Sequence, residues 1–174
     1  PAHVGYLASF GPAEFDKVET LCSPGCDAWV PHYATQKLLS GLFALHSELG
    51  LAGALPLALG MAEYVWRRGV AVRAAQGEAH WTELLNYEVG ALSEVYVHAA
   101  TATGNASWLD AAALFDRRCF SGPLALAGSL HPTRTAHEGS DGAPFAQGVE
   151  EAAVAETALR GMHANAQLAY IIGL

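Results

Sequence analysis

Apolar residues recur along this chain at helical spacing, and nowhere do they alternate as a half-buried strand requires. Positions Leu38, Leu39, Leu42, Phe43, Leu45, His46 and Leu49 follow a period near 3.6, behind Pro31 and ahead of a stop at Gly50. A second helix is predicted over 52–72, with Leu55, Leu59, Ala62, Val65 and Trp66 on one stripe. The connection is short, so the two should pair antiparallel. Pro12 to Asp16 reads as a short helical turn, and 73–80 as a polar link. A third helix over 87–103 turns Val89, Leu92, Val95, Tyr96 and Ala99 inward and stops at Gly104 and Asn105. Ser107 reads as the N-cap of a fourth, 108–120, carrying Leu109, Ala112, Ala113 and Phe115. Residues 129–147, rich in Gly, Ser, His and Pro without periodicity, read as a long surface loop. A fifth helix follows over 148–160, with Glu150 and Glu151 in its first turn, and a sixth opens at His163. The class is all-α, built from helical hairpins. Its apolar faces are too many for one layer, so the hairpins should stack in a curve or close into a ring.

Composition narrows the partners. The 174 residues make one domain, and 52% hydrophobic against 15% charged content supplies a core. The net charge is -8 with nine Lys and Arg, which excludes the basic patch that nucleic acid or an anionic membrane surface would need. No apolar run reaches the roughly 18 to 20 residues that span a bilayer. The richest, Leu51 to Met61, is closely followed by Glu63, Arg67 and Arg68, as in a buried or amphipathic helix. Cys22 and Cys26 bracket a Ser-Pro-Gly turn. They fit a small disulfide loop, two plain thiols, or half a metal site that lacks a second ligand pair. Cys119 reads as packing. Asn105-Ala106-Ser107 is a glycosylation sequon, which points towards a secreted or extracellular protein.

Three helix starts share a character. Pro31-His32-Tyr33-Ala34-Thr35-Gln36, Leu85-Asn86-Tyr87-Glu88 and Gly161-Met162-His163-Ala164-Asn165 each place amide, imidazole, phenol or carboxylate groups in a first turn. Unpaired N–H groups and partial positive charge at a helix start suit a hydroxyl-rich or anionic ligand. In a ring of hairpins the inner helices run parallel, so these starts gather at one end. His32, Tyr33, Gln36, Asn86, Glu88, His163 and Asn165 are thus candidates for one pocket. The mixture suits a sugar: polar groups bond hydroxyls, and Tyr33 and Tyr87 cover the apolar ring face. Glycosidic cleavage needs an acid and usually a second carboxylate or nucleophile. Glu88 and Glu94 lie about 240° apart around a helix and make no such pair. Glu94 reads instead as held in a structural hydrogen bond.

Five separated motifs then resemble one family in order along nearly the whole chain. Gly5-Tyr6-Leu7 with Phe10 and Glu14-Phe15-Asp16 resembles its opening segment. Trp29-Val30-Pro31-His32-Tyr33 with Lys37 to Leu42 is similar to W-x-P-Y-Y-T-x-H-K-I-x-A-G-L. His80-Trp81 and Leu85 to Val95 resemble L-N-E-E-x-G-G-M-N-E-V with its lead-in. Leu114-Phe115-Asp116 with Cys119-Phe120 resembles L-F-D-K-x-C-F, and Gly161 to Asn165 resembles G-L-H-A-N-T. The family is glycoside hydrolase family 127, the β-L-arabinofuranosidase-like proteins.

The resemblance implies part of an (α/α)6 toroid that hydrolyses β-L-arabinofuranosides with retention. It implies a cysteine thiolate nucleophile held by zinc with further cysteines and a glutamate, all beyond the His163-Ala164-Asn165 motif. The chain ends nine residues after Asn165. The expectation is therefore an N-terminal half, with no catalytic or metal-binding residue of its own and zinc belonging to the complete domain. The rest of the domain, or another chain, would cover its apolar seam. The substrate-binding residues carried over are His163, with Asn165, Asn86, Glu88, Tyr33 and Gln36. Gln36 stands where the family usually has His, and Tyr87 where it has the first Glu of L-N-E-E. Ala91 and Ser93 replace Gly and Asn, and Ala166 and Ala169 replace Thr and Pro. These departures point to altered specificity, or to a non-catalytic scaffold that binds sugar or protein.

Overall fold

The structure, a computed structural model, describes residues 3–21, 30–87 and 90–116. They form six helices and no strand: α1 (Ala13–Glu19), α2 (Pro31–Ser47), α3 (Ala54–Gln76), α4 (Glu78–Tyr87), α5 (Leu92–Thr103) and α6 (Ser107–Leu114). The expected loop at 129–147, the fifth and sixth helices and all three cysteines lie outside the described residues.

Pro31 opens α2 at a position where its missing N–H would have had no helical partner. The predicted stripe buries Leu39 and Phe43, while Leu45 is exposed and Leu49 lies beyond the helix, which ends at Ser47. α3 packs back along α2 and buries Ala58, Met61, Ala62, Tyr64 and Val65. The link expected over 73–80 is instead helix broken at one residue. α3 continues to Gln76, Gly77 takes φ +88°, and α4 begins at Glu78. Arg73, Gln76 and Glu78 are polar because they are the solvent face of helices, not because the chain leaves the helix. Only glycine adopts that φ without a steric penalty, so one residue suffices for the joint.

The third predicted helix also moves. α5 begins at Leu92, and Asn86 and Tyr87 close α4 instead of opening α5. Its inward face is as expected, with Leu92, Val95, Tyr96 and Ala99 buried. The face of α6 is only partly as predicted: Phe115, just past its end, is buried and Ala112 packs against the core, but Trp108, Ala111 and Leu114 are buried as well, while Leu109 and Ala113 are exposed. Ser107 is the first helical residue and not the cap. Its N–H bonds Asn105 Oδ1 at 3.1 Å, so the side chain two residues earlier satisfies the helix start.

The core is aromatic where the later helices meet. Tyr96 stacks on Phe115 at 5.3 Å and 21° and lies against Trp108 at 6.1 Å, pairs worth about 0.5–1.5 kcal/mol each beyond their burial. Trp81 from α4 meets Phe115 edge-on and donates Nε1–H to the Leu114 carbonyl at 2.9 Å, satisfying one carbonyl of α6's last turn. The rings of Trp81 and Phe115 fit over Gly69, a buried notch in α3.

Arg68 fastens α1 to α3. Its Nε donates to Glu19 Oε1 at 2.8 Å, its second arm reaches Glu19 and Asp16, and Nη1 donates to the Tyr64 hydroxyl at 3.1 Å. Burial acts to lower the guanidinium pKa, but these bonds outweigh it and hold the group above its ordinary value. His80 Nε2 lies 2.7 Å from the Glu19 carbonyl oxygen, so α4 joins the same knot. Ahead of α1, residues 3–10 run over α3. There Gly5, at φ +85°, lies so close to Gly60 that no side chain separates the two backbones.

Candidate functional site

The first two turns of α2 face the junction between α4 and α5, and polar side chains collect there. Gln36 is 2% exposed. Its Nε2 donates to Ser40 Oγ at 3.1 Å, one turn along α2, and to Glu94 Oε2 at 3.4 Å, across on α5. Both bonds fall on the amide nitrogen, which fixes the orientation of the amide. Its oxygen, Oε1, is buried and takes no hydrogen bond. An unbonded buried acceptor costs about 1–3 kcal/mol, so its presence calls for a donor. Ser93 Oγ, next along from the carboxylate that holds Gln36, is likewise buried and unbonded, as is Thr35 Oγ1 on α2.

Glu94 is therefore held in a hydrogen bond, as its spacing from Glu88 led us to expect. Its other oxygen lies 3.6 Å from His98 Nε2, one turn further along α5, and the His98 ring stacks over Phe43 at 6.0 Å. The result is a polar line from Ser40 through Gln36 and Glu94 to an exposed imidazole.

Tyr33 is half-buried beside this line. A Cβ on Gly90 would lie 3.4 Å from Tyr33 Cα, so the two segments touch through backbone. Lys37 Nζ stands 5.1 Å from the Tyr33 ring centroid, in cation–π range. Asn86 is 3% exposed in the last turn of α4. His32 is turned to the core instead, edge-on to Phe15 at 5.0 Å. The structure thus brings Gln36 and Glu94 into contact and sets Tyr33 against the chain just before α5. Glu88, His163 and Asn165 lie outside the described residues, as does the Tyr87 side chain. Ser40 was not foreseen, and Ser93 was noted only as a departure from the family's Asn. Ser40 had a signal, since a residue four places beyond Gln36 shares its helical face.

An apolar groove of about 270 Å³ borders the other side of α2, lined by Leu7, Ala8, Ser9, Phe10, Ala34, Thr35 and Leu38. Among the described residues no three His, Cys, Asp or Glu side chains are grouped as metal ligands. These residues do not make up the zinc site that the resemblance implies. No helix among the described residues is long and apolar enough to cross a membrane.

Helical hairpins that bury an amide against a half-buried carboxylate at the junction between their ends define an all-α domain with a polar site. The chain belongs to the family described as "Beta-L-arabinofuranosidase, GH127 catalytic domain", whose model matches residues 2–174. It is a glycoside hydrolase domain, and its hairpins are part of an (α/α)6 toroid. No curated protein and no solved structure matched the chain.

Proposed function

We propose that this domain serves the hydrolysis of β-L-arabinofuranosides, and that its residues bind and orient the sugar. The observation that carries this reading is the Gln36 amide. With Nε2 committed to Ser40 and Glu94, Gln36 presents only an acceptor, which a ligand hydroxyl can satisfy. Tyr33 offers a flat ring beside it, suited to the apolar face of a furanose. Asn86 adds an amide from α4, and His163, Asn165 and Glu88 join the pocket on the strength of the family resemblance. Bond cleavage falls to the thiolate and glutamate that the resemblance places elsewhere, with zinc as the group that would lower the thiol pKa.

The test is hydrolysis of an aryl β-L-arabinofuranoside by the full-length protein, with bound zinc quantified, beside His163→Ala and Gln36→Leu. Stoichiometric zinc and turnover that collapses in His163→Ala support the reading. For Gln36→Leu, loss of one hydrogen bond of about 0.5–1.5 kcal/mol should weaken sugar binding up to about tenfold. Folded protein with no zinc and no turnover on a panel of arabinofuranosides would favour a non-catalytic scaffold.

A further inference from the structure

We propose that Asn105 is an acceptor for an N-linked glycan. Asn105-Ala106-Ser107 is the single Asn-x-Ser/Thr triplet in the sequence. It occupies the turn between α5 and α6, inside a run of seven exposed residues, 101–107. The turn is an ordered one. The Asn105 N–H donates to Thr103 Oγ1 at 3.2 Å, and the Ser107 N–H and hydroxyl both donate to Asn105 Oδ1, at 3.1 and 2.5 Å. The hydroxyl that defines the triplet therefore already lies on the acceptor's amide.

The division of labour within that amide makes the site compatible with the fold. All side-chain bonds of Asn105 run through Oδ1, and the modification is made at Nδ2. Nδ2 attacks C1 of a lipid-linked oligosaccharide. The C1–O bond to the lipid pyrophosphate breaks, the Nδ2–C1 bond forms, and Nδ2 gives up one proton to a base. The lipid pyrophosphate is the leaving group. The product is still an amide with its carbonyl intact, so the contact that satisfies the start of α6 survives. The sugar chain projects into solvent beside small or polar residues: Thr101, Thr103, Gly104 and Ala106.

Placement also keeps the glycan from the polar site. Gln36 meets α5 in its first turn, at Glu94, and Asn105 follows its last. Twelve residues of helix separate the two ends by about 18 Å. The modification requires that the chain enter a eukaryotic secretory pathway.

The experiment expresses the full-length protein behind a secretory leader in a eukaryotic host and samples both medium and microsomes. Peptide N-glycosidase in heavy-oxygen water should collapse a glycan-sized mobility shift and leave a mass-tagged aspartate at position 105. Asn105→Gln and Ser107→Ala should lose the shift, and Ser107→Thr should retain it. Because the transfer takes place on the entering chain, the microsomal pool reports even on a variant that misfolds. Recovery of the wild-type peptide with unmodified Asn105 from both pools would overturn the proposal, as would a shift that persists in Asn105→Gln.

Discussion

Replacing Gly69 by alanine adds one methyl group at a place where the structure states what it would meet. A Cβ at this position would lie 2.9 Å from Phe115 Cζ, 2.9 Å from Trp81 Cη2 and 3.2 Å from Leu114 Cδ2. Ordinary carbon contacts are about 3.5–4.0 Å, so both rings must withdraw by more than half an ångström. Neither is free to do so. Phe115 is fully buried against Tyr96, and Trp81 is tied through Nε1 to the Leu114 carbonyl. Overpacking a formed core costs about 1–3 kcal/mol. Against it stands the intrinsic gain of alanine over glycine inside a helix, about 1 kcal/mol. The net expectation for Gly69→Ala is a loss of up to about 2 kcal/mol, or several degrees in Tm for a protein of this size. Gly41→Ala supplies the control. Gly41 is also interior to a helix, but no heavy atom lies within 4 Å of its added Cβ, so only the helical gain of about 1 kcal/mol remains. Urea unfolding followed by circular dichroism on the wild type and both variants measures the difference. The packing argument fails if Gly69→Ala is as stable as Gly41→Ala.

Tyr96 gives a pH-dependent case. It is fully buried, donates to the Ala62 carbonyl at 3.1 Å, and burial raises its pKa well above the ordinary value near 10. A raised phenol pKa means the unfolded chain loses its proton first. The contribution is therefore whole below about pH 10 and drains away as pH rises past it. Tyr96→Phe should cost about 1 kcal/mol at pH 8 and progressively less above pH 10; a gap that stays constant to pH 11 would contradict this. Arg68→Met would leave the Glu19 carboxylate, 10% exposed, without its countercharge, and should cost about 2–3 kcal/mol. Adding Glu19→Gln should restore part of that, and strictly additive losses in the double-mutant cycle would argue against a coupled pair. Glu94→Leu should free the Gln36 amide to turn, and so weaken arabinofuranoside binding more than it changes the melting temperature. An unaltered affinity in a binding titration would remove Glu94 from the site.

Helix period and turn residues were enough to find α2, α3 and α5, because each buries a broad stripe of large side chains. They found α6 and its Phe115 but turned Leu109 inward, for the opposite reason. Ala111, Ala112 and Ala113 stand side by side, so the apolar pattern selects no face, and Trp108 and Phe115 decide it through contacts with other helices. The polar run at 73–80 misled because exposure and helix breaking look alike in a string of letters; the break there is confined to Gly77. At the site, Tyr33 and Gln36 were legible as polar residues at a helix start. The bond from Gln36 to Glu94 was not, since it spans 58 positions and depends on how α2 lies against α5. Asn86 was assigned to the start of a helix, whereas it lies in the last turn of α4.

The crossing of residues 3–10 over α3 has a lopsided consequence for inheritance. A methyl group at residue 60 would meet Gly5 at 3.4 Å from Cα and 3.7 Å from the carbonyl oxygen, distances a packed interior accommodates. One at residue 5 would lie 2.3 Å from the Gly60 oxygen, on a backbone already at φ +85°. Alanine gains in the helix at one position and is forbidden at the other. Of two glycines that meet, only Gly60 is at liberty to drift as the lineage diverges.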